Sequence, residues 1–423
     1  MTNKVKHIPQ GYKDSPLGII PQDWEVKRLD NLFSFKNGIN ANKESYGEGI
    51  PFVNTMDVLN NTFLKTDVLR GKVNVSPKTK EEFGVVYGDV LFNRTSETRE
   101  EVGCSSVYID TEESVFGGFV IRAHDISSNM FYDFYKGYCF QPFYIRSQIV
   151  SLGNGAIRYN LGQEDLSRVK VLVPPIIEQQ RIVSVLQLWD TAIEKQSELI
   201  EKLKLRKHAL MQQLLTGKKR LIGFSGEWKR IKLGDIAERI RRKNEEDNKN
   251  VVTISAQRGF VVQTDFFNKS VASETLDNYY LVHKDEFCYN KSYSNGYPMG
   301  AIKRLNSFDK AVVTTLYICF KLKNKASVNI DYFEQYCESG IFNKELVKVA
   351  NEGGRAHGLL NVTPSDFFNM HMRIPNIDEQ NAIANVLVNA DKEIELANEK
   401  LSYLQSQKRG LMQQLLTGKK RII

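Results

Sequence analysis

The chain has 423 residues, 41% hydrophobic and 26% charged, which is the composition of a folded globular protein and excludes a disordered or fibrous one. Its net charge of +8 and pI of about 9.0 favour an acidic partner, nucleic acid first, although a merely basic protein fits the charge equally well. No run approaches the ~18 apolar residues of a membrane span, and the first residues show no apolar signal segment, so we expect no membrane association.

The cysteines are scattered and none forms a CxxC pair, which argues against a disulfide framework and against a zinc site. Their odd number is typical of a reducing compartment, so we expect a cytoplasmic protein. The five are Cys104, Cys139, Cys288, Cys319 and Cys337.

A first globular domain is predicted over residues 17–173, after an N-terminal arm of residues 1–16. Short runs rich in Val, Ile, Phe and Tyr alternate with turn residues, a pattern that favours a mixed α/β fold. The domain opens at Trp24-Glu-Val-Lys-Arg-Leu29 and closes with a predicted strand over 169–173 that runs into two prolines.

A long helix is predicted within residues 174–220. Its apolar residues recur at spacings of three and four from Glu178 onward, which indicates a coiled-coil seam. Gly217 is the expected stop, and the basic residues after it suit a helix C-terminus. The predicted seam residues are Ile182, Leu186, Trp189, Ile193, Ile200, Leu203, Leu210 and Leu214.

A second α/β domain is predicted over residues 221–374. It opens at Trp228-Lys-Arg-Ile-Lys-Leu233, in the manner of the first, and closes with a strand over 370–374. Before that strand, Thr363, Pro364 and Asp366 form the start signal of a short helix: a cap, a first-turn proline and an acid.

A second long helix is predicted within residues 375–423. Asn376 and Glu379 are spaced as a capping box, and Gly418 is the expected stop. Its predicted seam residues are Ile383, Leu387, Ala390, Ile394, Ala397, Leu401, Leu404, Leu411 and Leu415.

The chain is an internal duplication. Residues 210–220, Leu-Met-Gln-Gln-Leu-Leu-Thr-Gly-Lys-Lys-Arg, occur unchanged as residues 411–421, at an offset of 201. The same offset aligns Glu178-Gln179 with Glu379-Gln380 and Asp190 with Asp391. Two copies of one plan are therefore expected, each a domain followed by a long helix.

The order of domains and helices predicts how the helices pair. If the two helices pair with each other they must run antiparallel, which gives a pseudo-two-fold internal repeat; pairing with another chain is the alternative. Each would have about 38 residues and a length of ~57 Å at ~1.5 Å per residue. Lys207 and Lys408 occupy the same register of the seam, either as devices that fix register or as lysines whose amines reach out to solvent.

The interiors of the domains differ, but one segment still aligns. Phe92-Asn93-Arg94 before Gly103 corresponds to Tyr289-Asn290-Lys291 before Gly300, at an offset of 197, and each is predicted to be a strand end leading into a polar loop. A second polar loop precedes each closing strand, at 153–160 and 353–357. Arg, Lys and Asn in such loops suit base edges and phosphates, while the simpler interpretation is solvated turns.

Catalytic signatures are missing from the sequence. It has no GxxxxGK[ST] or GxGxxG loop, no HExxH, CxxC or GxSxG, and no Asn-Pro-Pro-aromatic motif of amino-methyltransferases. We therefore expect no catalytic residues, bound cofactor or metal in this chain.

Taken together, these motifs resemble those of the specificity subunits of type I restriction–modification enzymes. The resemblance covers essentially the whole chain. It is carried by Gly18-Ile-Ile-Pro-Gln-Asp-Trp24, by the Pro-x-x-x-Glu-Gln entries at Pro174 and Pro375, and by the repeated segments 210–220 and 411–421.

The resemblance implies a fold and a function. Two target-recognition domains would each read one half of a bipartite, asymmetric DNA site, and the helices would set the spacer. Two modification subunits would supply adenine methylation with S-adenosylmethionine. Restriction subunits would add ATP- and Mg²⁺-dependent cleavage. The subunit would not itself be a catalyst, and it would be associated with the prokaryotic nucleoid through DNA.

The candidate DNA contacts are the polar and basic residues of the predicted loops and strand ends. Asn93, Arg94, Asn290 and Lys291 are favoured because the repeat places them in the same loop. The full set is Lys36, Asn93, Arg94, Arg99, Arg158 and Tyr159 in the first domain, and Arg242, Lys243, Arg258, Asn290, Lys291, Tyr293, Arg355 and His357 in the second.

Two other classes of protein compete with a DNA reader. One is a non-catalytic coiled-coil adaptor whose globular domains bind proteins. The other is a stand-alone nuclease or methyltransferase, which the missing motifs oppose. Basic charge, loop chemistry and the family motifs favour the DNA reader.

Replacing Arg94 or Lys291 with alanine is expected to weaken DNA binding by ~1–3 kcal/mol, because each removes a charged contact. The measurement is duplex titration of a correctly folded variant. Unchanged affinity would reject the assignment of that residue.

Overall fold

The computed structural model describes residues 7–127, 129–155, 158–264, 276–324, 326–350 and 360–422. It divides into two compact units: unit 1 comprises residues 1–196 and 400–423, and unit 2 comprises residues 197–399. Each unit therefore contains one globular domain and a part of both long helices. Of the helices described, none is long and apolar enough to span a bilayer.

Unit 1 contains a five-stranded sheet of order β4-β13-β9-β11-β6 and a four-stranded sheet of order β7-β5-β12-β8. Its strands are β1 Tyr12–Ser15, β2 Gly18–Pro21, β3 Glu25–Arg28, β4 Phe33–Asn37, β5 Tyr46–Val53, β6 Phe63–Leu64, β7 Gly71–Val73, β8 Gly84–Val85, β9 Val90–Asn93, β10 Thr95–Ser96, β11 Ser105–Tyr108, β12 Ser114–Phe116, β13 Val120–Asp125, β14 Tyr159–Asn160 and β15 Lys170–Val173. Its helices are α1 Thr55–Asn60, α2 Pro77–Phe83, α3 Asp133–Cys139, α4 Phe143–Leu152, α5 Gln163–Ser167 and the first part of α6 Ile176–Leu214.

The two ends of the first domain meet. Strand β3, just after Trp24, pairs antiparallel with the closing strand β15, so that Glu25 lies opposite Val173. Trp24 is fully buried in the core beneath the five-stranded sheet. Leu415 and Leu416 belong to the same core. The C-terminus of the chain is thus part of the first domain's packing.

Unit 2 has a four-stranded sheet of order β17-β24-β21-β22, the hairpin β18-β19 and the two-stranded antiparallel sheet β20-β23. Its strands are β16 Lys229–Lys232, β17 Ala237–Arg239, β18 Val252–Ser255, β19 Gly259–Val262, β20 Tyr280–His283, β21 Phe287–Asn290, β22 Ala301–Arg304, β23 Lys310–Val313, β24 Ile318–Leu322 and β25 His371–Ile374. Its helices are α7 Leu233–Ile236, α8 Ile330–Glu338, α9 Asn343–Val349, α10 Pro364–Asn369, the second part of α6 and the first part of α11 Ile377–Leu415.

The second domain is closed in the same way as the first. Strand β16 pairs antiparallel with β25, with Lys229 opposite Ile374. The short helix α10 starts as the sequence predicts, with Thr363 capping the backbone N–H of Asp366 at 3.2 Å. Leu214 and Leu215 complete this core, as their counterparts do in unit 1.

Both long helices have 39 residues, which confirms the predicted length and fold class. Their predicted stops are confirmed: Gly217 and Gly418 have φ of 71° and 68°, a left-handed conformation that favours glycine. The N–H groups of Gly217 and Gly418 donate to the carbonyls of Leu214 and Leu415, both at 3.2 Å, as the C′ residue does in a Schellman motif. The N–H groups of Lys219 and Lys420 donate to the Gln213 and Gln414 carbonyls at 3.1 Å.

The helices run antiparallel within each unit. In unit 1, Lys408 near the end of α11 donates to Asp190 near the start of α6, and Asp190 also accepts from Tyr138 Oη at 2.7 Å. In unit 2, Lys207 donates to Asp391, which accepts from Gln335 Nε2 at 2.7 Å. Lys207 and Lys408 are therefore paired across the seam, which supports the register interpretation over solvent-seeking lysines.

A buried glutamate lies at the start of each long helix. In unit 1, Glu178 accepts from Trp24 Nε1 at 2.8 Å and pairs with Arg421 at 2.6 Å. In unit 2, Glu379 is fully buried and takes a bidentate contact from Arg220 at 2.5 and 2.6 Å. The arginine that ends each repeated segment thus neutralises the buried acid at the start of the other helix.

The predicted capping box is only half formed. Asn376 accepts from the Glu379 backbone N–H at 2.9 Å, as a cap should. The Glu379 carboxylate pairs with Arg220 instead of turning back to the cap. The long-range ion pair therefore replaces the local bond that the sequence spacing predicts.

Replacing Leu416 with alanine is expected to cost about 2–5 kcal/mol of unfolding free energy, because it leaves a cavity in the first domain's core. The matched control is Leu205→Ala on α6, where the side chain is 70% exposed. Urea unfolding followed by circular dichroism measures both. Equal, small effects would show that the C-terminus is not part of that core.

Candidate nucleic-acid interface

In unit 1 the two predicted polar loops come together. Strand β9 ends at Asn93, and the next two-residue strand, β10, pairs with β14 just before the closing helix α5. Thr95 Oγ1 donates to Asn160 Oδ1 at 2.7 Å, and the Leu161 backbone N–H donates to the Arg94 carbonyl at 2.9 Å. One continuous surface therefore contains residues of both loops.

Cationic side chains line this surface. Arg94 is half-buried and its Nη1 donates to the Gly118 carbonyl at 3.1 Å. Arg99 is exposed, with Nε 3.4 Å from the Val150 carbonyl. Arg158 is 63% exposed and lies 4.0 Å from Glu97, a solvent-screened pair that contributes little stability. Tyr159 is half-buried on β14.

Two of the predicted contacts in unit 1 lie elsewhere or are covered. Asn93 is fully buried and donates to the Glu101 carbonyl at 3.1 Å, so it holds the loop and cannot reach a base from this position. Lys36 lies on β4, where it pairs with Glu82 at 2.9 Å and sits over the Phe83 ring.

In unit 2 the loop after β21 occupies the same place in the sheet. Asn290 is half-buried, accepts from the Ser292 backbone N–H at 3.0 Å and donates to the Ile254 carbonyl at 3.3 Å. Tyr293 is 69% exposed at the loop surface. Gln257 donates to the Asn295 carbonyl at 3.0 Å, which places the neighbouring exposed Arg258 beside this loop.

Lys291 connects this loop to the segment before the closing strand. Its carbonyl accepts from the Leu360 backbone N–H at 3.0 Å. The predicted contacts Arg355 and His357 lie outside the described residues.

Arg242 and Lys243 are at the other end of the central strand. Arg242 makes a bidentate contact with Glu286, which precedes β21, at 3.0 and 3.2 Å. Lys243 donates to the Asn278 carbonyl at 2.6 Å and lies over the Tyr280 ring. The structure does not bring these two residues together with the loop after Asn290.

A cluster that the sequence did not reveal anchors the unit 2 loop. Lys303 is buried and its Nζ lies 2.6 Å from Glu338 and 3.2 Å from Tyr297 Oη, the last residue of the loop. Tyr297 in turn donates to Glu338 at 2.9 Å. Burial and the nearby Glu338 carboxylate raise the pKa of Tyr297, so its hydroxyl stays a donor. The three residues are too far apart in sequence to form a local motif.

No three His, Cys, Asp or Glu side chains lie close enough to hold a metal ion in the part of the chain that the structure describes. The polar residues of both loops instead present amides, guanidinium groups and hydroxyls. This is the chemistry of nucleic-acid contact.

Comparisons with known proteins agree with this architecture. A family model described as the type I restriction modification DNA specificity domain matches twice, over residues 21–205 and 225–406. The chain is 23% identical over 438 residues to a putative type I restriction enzyme MjaX specificity subunit of Methanocaldococcus jannaschii, with 98% of this chain and 97% of that protein covered. It is 20% identical over 443 residues to the MjaVIII specificity subunit of the same organism, covering 95% and 94%.

A solved structure shares the fold. It comes from work on the complex assembly and conformational transition of the type I R-M system, and it is 14% identical with a TM-score of 0.57 over 95% of this chain and 99% of that one. Because the family model covers most of both repeats, the chain belongs to the type I restriction–modification DNA specificity subunits, as its motifs indicated.

Replacing Glu338 with alanine is expected to lower the unfolding free energy by roughly 2–4 kcal/mol, because it leaves the buried Lys303 ammonium unpaired. The control is Glu201→Ala, whose exposed pair with Lys204 should contribute less than about 1 kcal/mol. Chemical denaturation compares the two variants. Equal losses would mean that the cluster does not anchor the loop.

Proposed function

We propose that each unit reads one half of a bipartite, asymmetric site in double-stranded DNA. In unit 1 the reading surface is formed by the loops around Arg94, Arg99 and Arg158. In unit 2 it is formed by the loop from Lys291 to Tyr297 with Arg258. The carrying observation is that both loops follow the central strand of the same kind of sheet but present different side chains.

This difference is what two half-sites require. A repeat that served only as a scaffold would keep its surface residues along with its frame. Here the frame is kept, with the same closing strands, helix ends and buried acids, while the loop side chains change. Base edges are distinguished by such side chains, whereas phosphate contacts position the protein.

The long helices have a separate role in this proposal. Their length of 39 residues, about 58 Å at ~1.5 Å per residue, sets the spacer between the half-sites. Their outer faces expose large apolar side chains, among them Leu188 and Leu205 at 70% and Tyr403 at 63%. Such side chains suit the docking of partner subunits.

The chemistry belongs to those partners. Two modification subunits would bring S-adenosylmethionine and methylate adenine in each half-site. Restriction subunits would add ATP- and Mg²⁺-dependent translocation and cleavage. This chain supplies the sequence specificity and has no catalytic part in either reaction.

Exchanging residues 17–173 for the first domain of another family member tests whether each domain reads its own half-site. We expect one half of the methylated motif to change while the other half and the spacer stay the same. The chimera is expressed with the modification subunits and its motif is read by methylation-sensitive long-read sequencing. A motif altered in both halves, or in neither, would contradict the proposal.

A further inference from the structure

A tight turn in unit 1 holds a large apolar side chain in solvent. The Val120 backbone N–H donates to the Gly117 carbonyl at 2.9 Å, and Phe119, the third residue of this turn, is 60% exposed. Hydrogen bonds to neighbouring segments of the domain also hold the turn. Gly118 N–H donates to the Ile39 carbonyl at 2.8 Å, and Gly117 N–H donates to the Val53 carbonyl at 3.0 Å.

Unit 2 has the same turn at the corresponding place. The Tyr317 backbone N–H donates to the Thr314 carbonyl, and the third residue, Leu316, is 56% exposed. The offset from Phe119 to Leu316 is 316 − 119 = 197, the offset that relates Asn93 to Asn290. The two turns, Gly-Gly-Phe-Val and Thr-Thr-Leu-Tyr, have no residue in common.

The turn lies beside the proposed reading loop. It leads into β13 in unit 1 and β24 in unit 2, the strands that pair with the central strands β9 and β21. In unit 1, Arg94 N–H donates to the Phe119 carbonyl at 2.8 Å and Arg94 Nη1 donates to the Gly118 carbonyl at 3.1 Å. Phe119 and Arg94 therefore belong to one rigid surface.

Exposure of one apolar residue would decide nothing, because isolated exposed apolar residues are common on protein surfaces. The repetition carries the argument. Two domains with unlike turn sequences keep a large apolar side chain exposed at the same position. The unit 1 turn is held by several backbone hydrogen bonds, and the unit 2 turn by the Tyr317–Thr314 backbone bond and by the Leu316 N–H, which donates to Thr314 Oγ1 at 3.3 Å. Because both turns are held in this way, little conformational entropy is lost when such a side chain binds a partner.

We propose that Phe119 and Leu316 contact the apolar surface of DNA bases, one in each half-site, next to the cationic loop. This inference rests on the proposed function. Phosphates offer nothing to an apolar side chain, whereas thymine methyl groups and partly unstacked base steps do. Phe119 and Leu316 therefore add apolar base contacts to the discrimination by the loop side chains, among which Arg94 and Lys291 also contribute charge.

The test uses the full chain with its modification subunits and a duplex that carries the motif found by methylation mapping. Phe119→Ala and Leu316→Ala are each expected to weaken binding to this duplex about tenfold, the scale of one lost base contact. Affinity for an unrelated duplex and the salt dependence of binding should not change. Arg94→Ala, in contrast, should reduce the slope of log affinity against log salt concentration by about 0.9, because it removes one positive charge near the DNA phosphates.

Matched controls separate this role from general surface effects. Phe143 is 75% exposed in the same unit but lies beside Gln413 of the second long helix, and Ile222 is fully exposed in unit 2. Phe143→Ala and Ile222→Ala should bind the target as the unchanged chain does. Phe119→Leu should bind the target more tightly than Phe119→Ala, because it keeps a large apolar side chain. Thermal denaturation confirms that each variant is folded.

The outcomes are distinguishable. If the unchanged chain does not prefer the target duplex, the proposed function fails. If it does, and Phe119→Ala and Leu316→Ala bind target and unrelated duplexes as before, the inference is overturned. Equal losses on both duplexes would also overturn it. Permanganate oxidation of thymines in the complex distinguishes contact with a thymine methyl group from contact with a partly unstacked base step. Only thymines at an unstacked step become reactive.

Discussion

The rest of the structure depends on a buried acid at the start of each long helix. Glu178 and Glu379 are almost entirely removed from solvent, and a carboxylate in that position is stable only with a cation and hydrogen-bond donors. The cations are Arg421 and Arg220, each from the terminal segment of the other helix. This pairing fixes the antiparallel direction and register of the seam within each unit.

The same constraint explains why the buried positions of the eleven-residue segment are unchanged between the two halves. Each copy must place two leucines in a domain core, a glycine against a tryptophan ring and an arginine on a buried acid. A side chain added at Gly418 would meet Pro21 and Trp24, and one at Gly217 would meet Trp228. The buried positions of the segment are therefore restricted by packing, whereas Gln213, Lys218 and Lys219 and their counterparts Gln414, Lys419 and Lys420 are exposed.

Local signals made the helices and closing strands predictable. Heptad spacing, the glycine stops, the Thr363 cap and the closing strands depend on residues a few positions apart, and all appear in the structure. The ion pair of Glu178 with Arg421 joins residues 243 positions apart, so a local sequence pattern cannot predict it. The Lys303–Glu338–Tyr297 cluster escaped prediction for the same reason.

The loops show a related limit. Asn93 and Asn290 are identical in the two halves, yet both amides are used inside the domain, Asn93 fully buried and Asn290 bound on both sides. Each asparagine therefore supports its loop, although the two have different hydrogen-bond partners. The neighbouring positions that differ, Arg94 and Lys291 or Phe119 and Leu316, lie at the surface. Sequence located the two polar loops, but the structure was needed to separate the side chains that support each loop from those that lie at its surface.

The most direct test of the account is methylation mapping by long-read sequencing in cells that carry this chain and its modification subunit, compared with cells from which this gene has been removed. The account predicts one bipartite methyl-adenine motif that disappears with the gene. An unchanged methylation pattern would contradict DNA reading and direct attention to protein partners of the two domains.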